Sequence, residues 1–539
     1  MRLQSNLVDI HRRKIYPAEI RIKNGNIYSI EESGKAPNHF ILPGFVDAHI
    51  HIESSMVTPV SFSKAAIRHG TVAVVSDPHE IANVLGKEGV VFMVVDGRKT
   101  PLKIMFGAPS CVPATSFESS GAAIDVHEVE EILKIPGVGY LSEMMNYPGV
   151  LHGEAGVMEK IYLAKSMGVP IDGHAPGLTG GDLEIYSAAG ISTDHECFTY
   201  NEAKEKISKG FKILIREGSG AKNFNALIPL LKEHPEKIMF CTDDLHPDDL
   251  LKGHINLFVR RAIREGYDLF DVLRAAGLNA AEHYNLEVGL LREGDPADFI
   301  IVDSLEDFNI VETFIDGKAV FSNETVNIDF DQPEKPNQFN IKTIEEKDLA
   351  VKVDGKSIRV IQTIDGELIT KEIKETPKVE NGNVISNTDR DVLKMAVVNR
   401  YFQSNPAIGF VNGFKLQKGA LASSIAHDSH NIICVGTDDR YMKEAINKII
   451  EYRGGIVAHD GKDLFGLPLE IAGIMSSGSV EHAAQKYSEL TTIARKMGSD
   501  MKAPFMTLAF MALLVIPELK LSDKGLFSGN TFSFTSLFY

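Results

Sequence analysis

Cysteine is scarce: four residues in 539, with Cys111, Cys197, Cys241 and Cys434 far apart in the chain. No CxxC pair exists, which excludes a thiolate zinc site and a thioredoxin-like redox motif and fits a reduced, cytosolic protein. Long apolar runs are also missing. The longest, residues 505–516, is too short to span a bilayer, and the N-terminal segment lacks the continuous apolar core of a secretory signal. A soluble cytoplasmic protein is therefore expected. Positive charge is in deficit, with 56 basic against 73 acidic side chains and a net charge of -17, which points away from nucleic acid and membrane surfaces as partners. No GxGxxG or GxxxxGK[ST] loop follows a strand pattern, and there is no internal repeat, low-complexity tract or heptad run.

What remains is ordinary globular composition, 44% apolar and 24% charged, in a chain long enough for two to four domains. Residues 19–30 alternate around Asn24-Gly25, a pair suited to a tight hairpin turn. From residue 42 the texture becomes apolar runs, each followed by a loop and a helix-like stretch: ILPGFVDA, TVAVVS, PLKIMFGA, VGYLS, VPIDG, GISTD, FKILIR and KIMFCT. Eight such units predict an α/β fold, a (β/α)8 TIM-like barrel over residues 42–283 with active groups at the C-terminal ends of its strands. Strand patterns recur in residues 289–303 and 311–321, so residues 1–41 and 284–325 are expected to form one small discontinuous β-sandwich domain. The polar, proline-containing stretch 323–342 reads as a linker. Residues 345–539 combine alternating and helical spacing, and an α+β domain is expected there.

Eleven of the eighteen histidines lie between His49 and His254. His49 and His51 follow an apolar strand at i and i+2, so both point to one face and can share a cation. Other strands end in Ser142-Glu143, Gly173-His174, Asp194-His195 and Thr242-Asp243. Four imidazoles and two carboxylates would thus converge on one mouth. Without thiolates, such a set suits two divalent ions of the manganese, iron or zinc type.

The segments PGFVDAHIHIESSM, SDPHEIANVLG, DGHAPGLTGGDL, TDHEC, CTDDLHPDDLL, GDPADF and VNGFKLQKGALASSIAHDSHNIICVG resemble the amidohydrolase superfamily and, within it, the adenine deaminase family. The resemblance covers essentially the whole chain. It implies that His49, His51 and Asp243 hold one metal and His174 with His195 the other. Many members use a carboxylated lysine as bridge at the end of strand four. This chain has no lysine there, Lys134 lying before the strand, and the resemblance implies Glu143 instead. It also implies two divalent ions, manganese foremost with iron or zinc as alternatives, and hydrolysis of adenine to hypoxanthine and ammonia. Asp243 is the leading proton carrier, with Glu53 and His79 as further candidates. His51 also begins an H-x-E triplet, but the paired cysteines of the cytidine-deaminase zinc site are absent.

Several residues keep two readings. His79 is a catalytic group or a hydrogen-bonded loop residue. Arg216, Glu217 and Ser219 contact the purine or hold loops, and His246 caps a helix or touches substrate. His69 and His254 are assigned to helices. His427 and Asp428 form a polar turn or reach the barrel mouth, from the same or a neighbouring subunit. A homo-oligomer, a dimer, is expected. A dihydroorotase- or deacetylase-like hydrolase and a non-catalytic scaffold are the alternative functions.

Overall fold

The computed structural model describes residues 1–329 and 332–539. Between residues 45 and 283, eight short strands alternate with helices: β1 (Phe45–Ile50), β2 (Thr71–Ser76), β3 (Lys103–Ala108), β4 (Val138–Met144), β5 (Ile171–Gly173), β6 (Thr193–Asp194), β7 (Lys212–Arg216) and β8 (Ile238–Cys241). Strands β1 to β5 form one parallel sheet and β6 to β8 a second. Backbone bonds join both pairs of edges. Asp243 N donates to His49 O at 3.0 Å and His51 N to Asp243 O at 3.2 Å, while Ser192 N donates to Ile171 O at 3.0 Å. Every residue of β1 and β2 is buried, as expected for parallel strands covered on both faces. Because all eight run the same way, the polar residues that follow them gather at one end.

The run ILPGFVDA, expected as one strand, is two. Phe40–Pro43 pairs antiparallel with Phe299–Val302 in a separate sheet, and β1 begins after Gly44. A Cβ on Gly44 would lie 2.2 Å from Val72 Cγ1, so the chain can pass there only as glycine. That separate sheet draws four strands from residues 2–43 and four from residues 299–326. Hydrogen bonding runs through all eight strands, and residues of both halves, Ile20 and Ile22 with Phe299 and Phe314, share one core. Its hairpin at Asn24-Gly25 has φ of 52° and 85°, the positive pair that a tight two-residue turn demands.

Of the expected linker, residues 330 and 331 lie outside the described residues. Thr325–Val326 is a strand of the small sheet, and residues 332–345 contain no helix or strand. Beyond them an eight-stranded mixed sheet carries the helices Asp439–Tyr452 and Val480–Lys496, each started by a side-chain cap, Asp438 on Arg440 N and Ser479 on His482 N. Alternate residues of its strand Leu393–Val398 feed two cores. Ala396 and Val398 pack with Met442 and Ile446, whereas Met395 and Val397 face Phe505 and Phe510. The second core also takes in Met56, which follows β1, so the C-terminal part lies against the strand-end face. Among the described residues no helix is long and apolar enough to cross a membrane.

Candidate metal centre

The pleat of β1 puts His49 and His51 side by side, with Nε2 atoms 3.3 Å apart. Asp243 Oδ1 lies 3.4 Å from the first and 3.1 Å from the second. Asp243 takes a left-handed backbone, φ 55°, which aspartate tolerates better than most residues. Opposite, His174 Nδ1 is 2.8 Å and His195 Nε2 3.1 Å from Glu143 Oε2. Glu143 Oε1 faces the other way, 3.5 Å from His51 Nε2 and 3.4 Å from His79 Nδ1. One carboxylate thus turns an oxygen to each group of ligands. The rings of His49 and His195 stack at 4.2 Å, closing the cluster, and all six side chains are buried.

These residues fit divalent ions. Ligands about 2.1 Å from a common ion stand roughly 3.0–3.4 Å from one another, close to the spacing seen here. Two imidazole nitrogens facing each other can share only one proton, and His174 Nε2 is buried with no partner at all. Burial opposes ionisation of Glu143, but His174 and His195 outweigh it and hold the carboxyl well below the usual range. Burial likewise lowers His174, yet Glu143 and Glu196 lift it to about 9. The cage calls for positive charge, and a cation would replace those protons.

Behind the cage stands a charged residue that sequence reasoning left between two other roles. Arg216, at the end of β7, is fully buried; its Nη1 donates to Asp243 Oδ2 at 2.7 Å and its Nη2 to Glu196 Oε2 at 3.1 Å. It therefore neither lines the cavity nor merely shapes a loop. Burial favours the neutral acid at Asp243, but Arg216 and the two histidines hold it well below the ordinary value. Glu217 faces Lys222 and Arg261, and Ser219 donates to Asp249, both away from the cage. His246 precedes the helix Pro247–Leu250 with its ring against Tyr487. His69 closes the helix Pro59–Arg68. His254 lies 3.0 Å from Asp47, whose carboxylate also accepts from Thr242 N at 3.1 Å and so locks β8 to β1.

His79 starts the helix His79–Leu85 and faces the cluster, with Nδ1 3.2 Å from Asp77 Oδ2. Glu53 does not. It lies in the turn Ile52–Ser55, accepts from Ile81 N at 3.2 Å and is absent from the cavity lining. Its carboxylate is bonded to the first turn of the helix that His79 starts. Burial pushes its carboxyl up to about 7.

The open question of His427 and Asp428 is settled within one chain. His427 Nδ1 lies 2.8 Å from Glu80 Oε1, His430 pairs with the same carboxylate, and Asp428 Oδ1 lies 3.9 Å from His79 Nε2. Sequence reasoning gave neither Glu80 nor His430 a role; the signals were the position of Glu80 after β2 and the i, i+3 spacing of histidines in AHDSH. Between the two parts lies a small, partly open cavity. Metal-cage residues line one side, and Leu368, His427, Asp428, Phe510 and Leu513 line the other.

The amidohydrolase family model matches residues 40–320, and the adenine deaminase C-terminal domain model matches residues 367–533. The chain is 52% identical over 545 residues to the adenine deaminase of Methanosarcina mazei, covering 99% of this chain and 98% of that protein. It is 51% identical over 539 residues to that of Salinibacter ruber, with 99% and 98% covered. To that of Borreliella burgdorferi it is 44% identical over 541 residues, with 99% of each covered. The two matched spans meet across the cavity.

Proposed function

The chain belongs to the adenine deaminase family of amidohydrolases, and from that premise we propose that its cavity binds adenine and that water replaces the exocyclic amine, releasing hypoxanthine and ammonia. The observation that carries this is the cavity itself, with His51, Glu143, His174, His195 and Asp243 of the cage on one side and Leu368, Phe510 and Leu513 on the other. In this reading the eight parallel strands are one (β/α)8 barrel over residues 45–283. Residues 1–43 with 284–326 form the small β domain and residues 345–539 the C-terminal one.

His49, His51 and Asp243 would hold one divalent ion and His174 with His195 the second, with Glu143 shared between them. Manganese suits these donors, as do iron and zinc. Ions in this cage supply the Lewis acidity that makes water a nucleophile near neutral pH. The remaining work falls to the protein. Arg216 keeps Asp243 ionised, so Oδ1 can accept a proton as water attacks C6. Of the two protons that water loses, one ends on the ring nitrogen and one on the departing amine, which leaves as ammonia. His79 stands between Glu143 and Asp428 and is placed to carry a proton along that path.

Reconstituting the metal-free protein with manganese, iron or zinc in parallel and supplying adenine tests the reading. Hypoxanthine and ammonia should appear in equal amounts. Hydrolysis of cyclic amides with adenine untouched would overturn it.

A further inference from the structure

Lys520 lies in the strand Leu519–Ser522 and is fully buried. No carboxylate pairs with it among the described residues. Its Nζ donates to Leu368 O at 2.7 Å and to Phe510 O at 3.0 Å. The side chains of those same two residues line the cavity. They also line a groove on the outer side, with Phe198, Lys222, Asp365 and Met506, so Leu368 and Phe510 are the partition between groove and cavity.

The two residues come from separate elements that meet the strand of Lys520, with Thr370 N donating to Pro517 O and Leu521 N to Met511 O, each at 3.0 Å. Leu368 lies in the loop between the strands Ile358–Thr363 and Thr370–Glu375, and Phe510 ends the helix Pro504–Phe510. Burying an amine is unfavourable unless its hydrogen bonds are made, so a lysine in this apolar setting is explained by the two carbonyls it joins. Burial pushes its amine down to about 7. A neutral amine has two N–H donors, one for each carbonyl. The link extends further, because the ring of Phe510 stacks on that of His427 at 4.9 Å and 20°, and His427 bonds Glu80.

We propose that Lys520 is a positioning residue for substrate: by tying the Leu368 and Phe510 carbonyls together, it holds the apolar wall at the height at which a planar base packs between that wall and the metal cage. This rests on adenine as the substrate, whose polar edge suits the cage and whose apolar face suits the wall. Such a residue governs how well the ring is held rather than how fast it reacts.

Lys520→Met in the full-length, metal-loaded protein removes the donors and keeps the chain length. KM for adenine should rise about tenfold with kcat changed less than about twofold. Two ions per chain should be retained, and amide hydrogen exchange should quicken at residues 366–369 and 508–513. Lys520→Arg, which keeps donors, should recover part of the KM. Unchanged KM and unchanged exchange would overturn the proposal, as would a parallel loss of kcat and metal. If Lys520→Met does not fold, Phe510→Leu tests the same wall, and an unaltered KM there overturns it. Exchange is read without substrate, so failure of the wild-type protein to deaminate adenine would remove the substrate reading and leave the clamp to be judged by exchange.

Discussion

On the strand-end side of the cavity nearly every group is charged and bonded to another charged group: Glu143 to His174 and His195, and Asp243 to Arg216, which also holds Glu196. On the C-terminal side the wall is largely Leu368, Phe510 and Leu513, and two of those three are held through main-chain carbonyls. The first is a closed network in which removing one member strands its partner in a low-dielectric site. The second is a packed surface whose position can shift by degrees. In the proposed reading, chemistry belongs to the bonded wall and ring binding to the packed one.

Three experiments can break or sharpen that contrast. The largest effect is expected from Glu143→Gln, which removes the shared carboxylate. Turnover should fall roughly 10³-fold and bound metal should drop below two per chain by elemental analysis. Retention of both ions would show that the cage is not a closed network. Next is Arg216→Met, which leaves Asp243 and Glu196 buried and uncompensated. A loss of about 3–5 kcal/mol in urea unfolding is expected, whereas a loss near zero would mean that the pair is hydrated.

The smallest effect concerns the seam, where His427 meets Glu80. Burial lowers this imidazole but Glu80 raises it to about 9, above the ordinary 6.5. A raised value means that the pair stabilises the fold fully below about pH 6.5 and loses that contribution as pH climbs through 9. The stability gap between the wild-type protein and His427→Gln should be at most about 3 kcal/mol at pH 6.5 and close to nothing by pH 10. A gap that widens with pH would put the proton elsewhere.

The cage was legible because each ligand stands directly after an apolar run, and because i and i+2 on a strand share a face. Its backing was not. Arg216 meets Glu196 only because the ends of β6 and β7 are neighbours, a relation that no local pattern records. The run ILPGFVDA hid a break because apolar character continues across Gly44 while the backbone changes sheets. Lys520 was the least visible, since a lysine in LKLS looks like the solvent-facing residue of an alternating strand. Its burial follows from what the C-terminal sheets pack against. His427 and Glu80 could each be placed near the strand ends from sequence, but not their pairing across 347 residues.

That separation has a consequence for assembly. A ribosome finishes all six cage residues by position 243, long before it reaches Lys520, whose partner Leu368 lies 152 residues earlier. The cage residues are thus all in the chain before any residue of the covering wall. A chain interrupted between the two would carry all six cage residues yet lack the wall that Leu368, Phe510 and Leu513 supply.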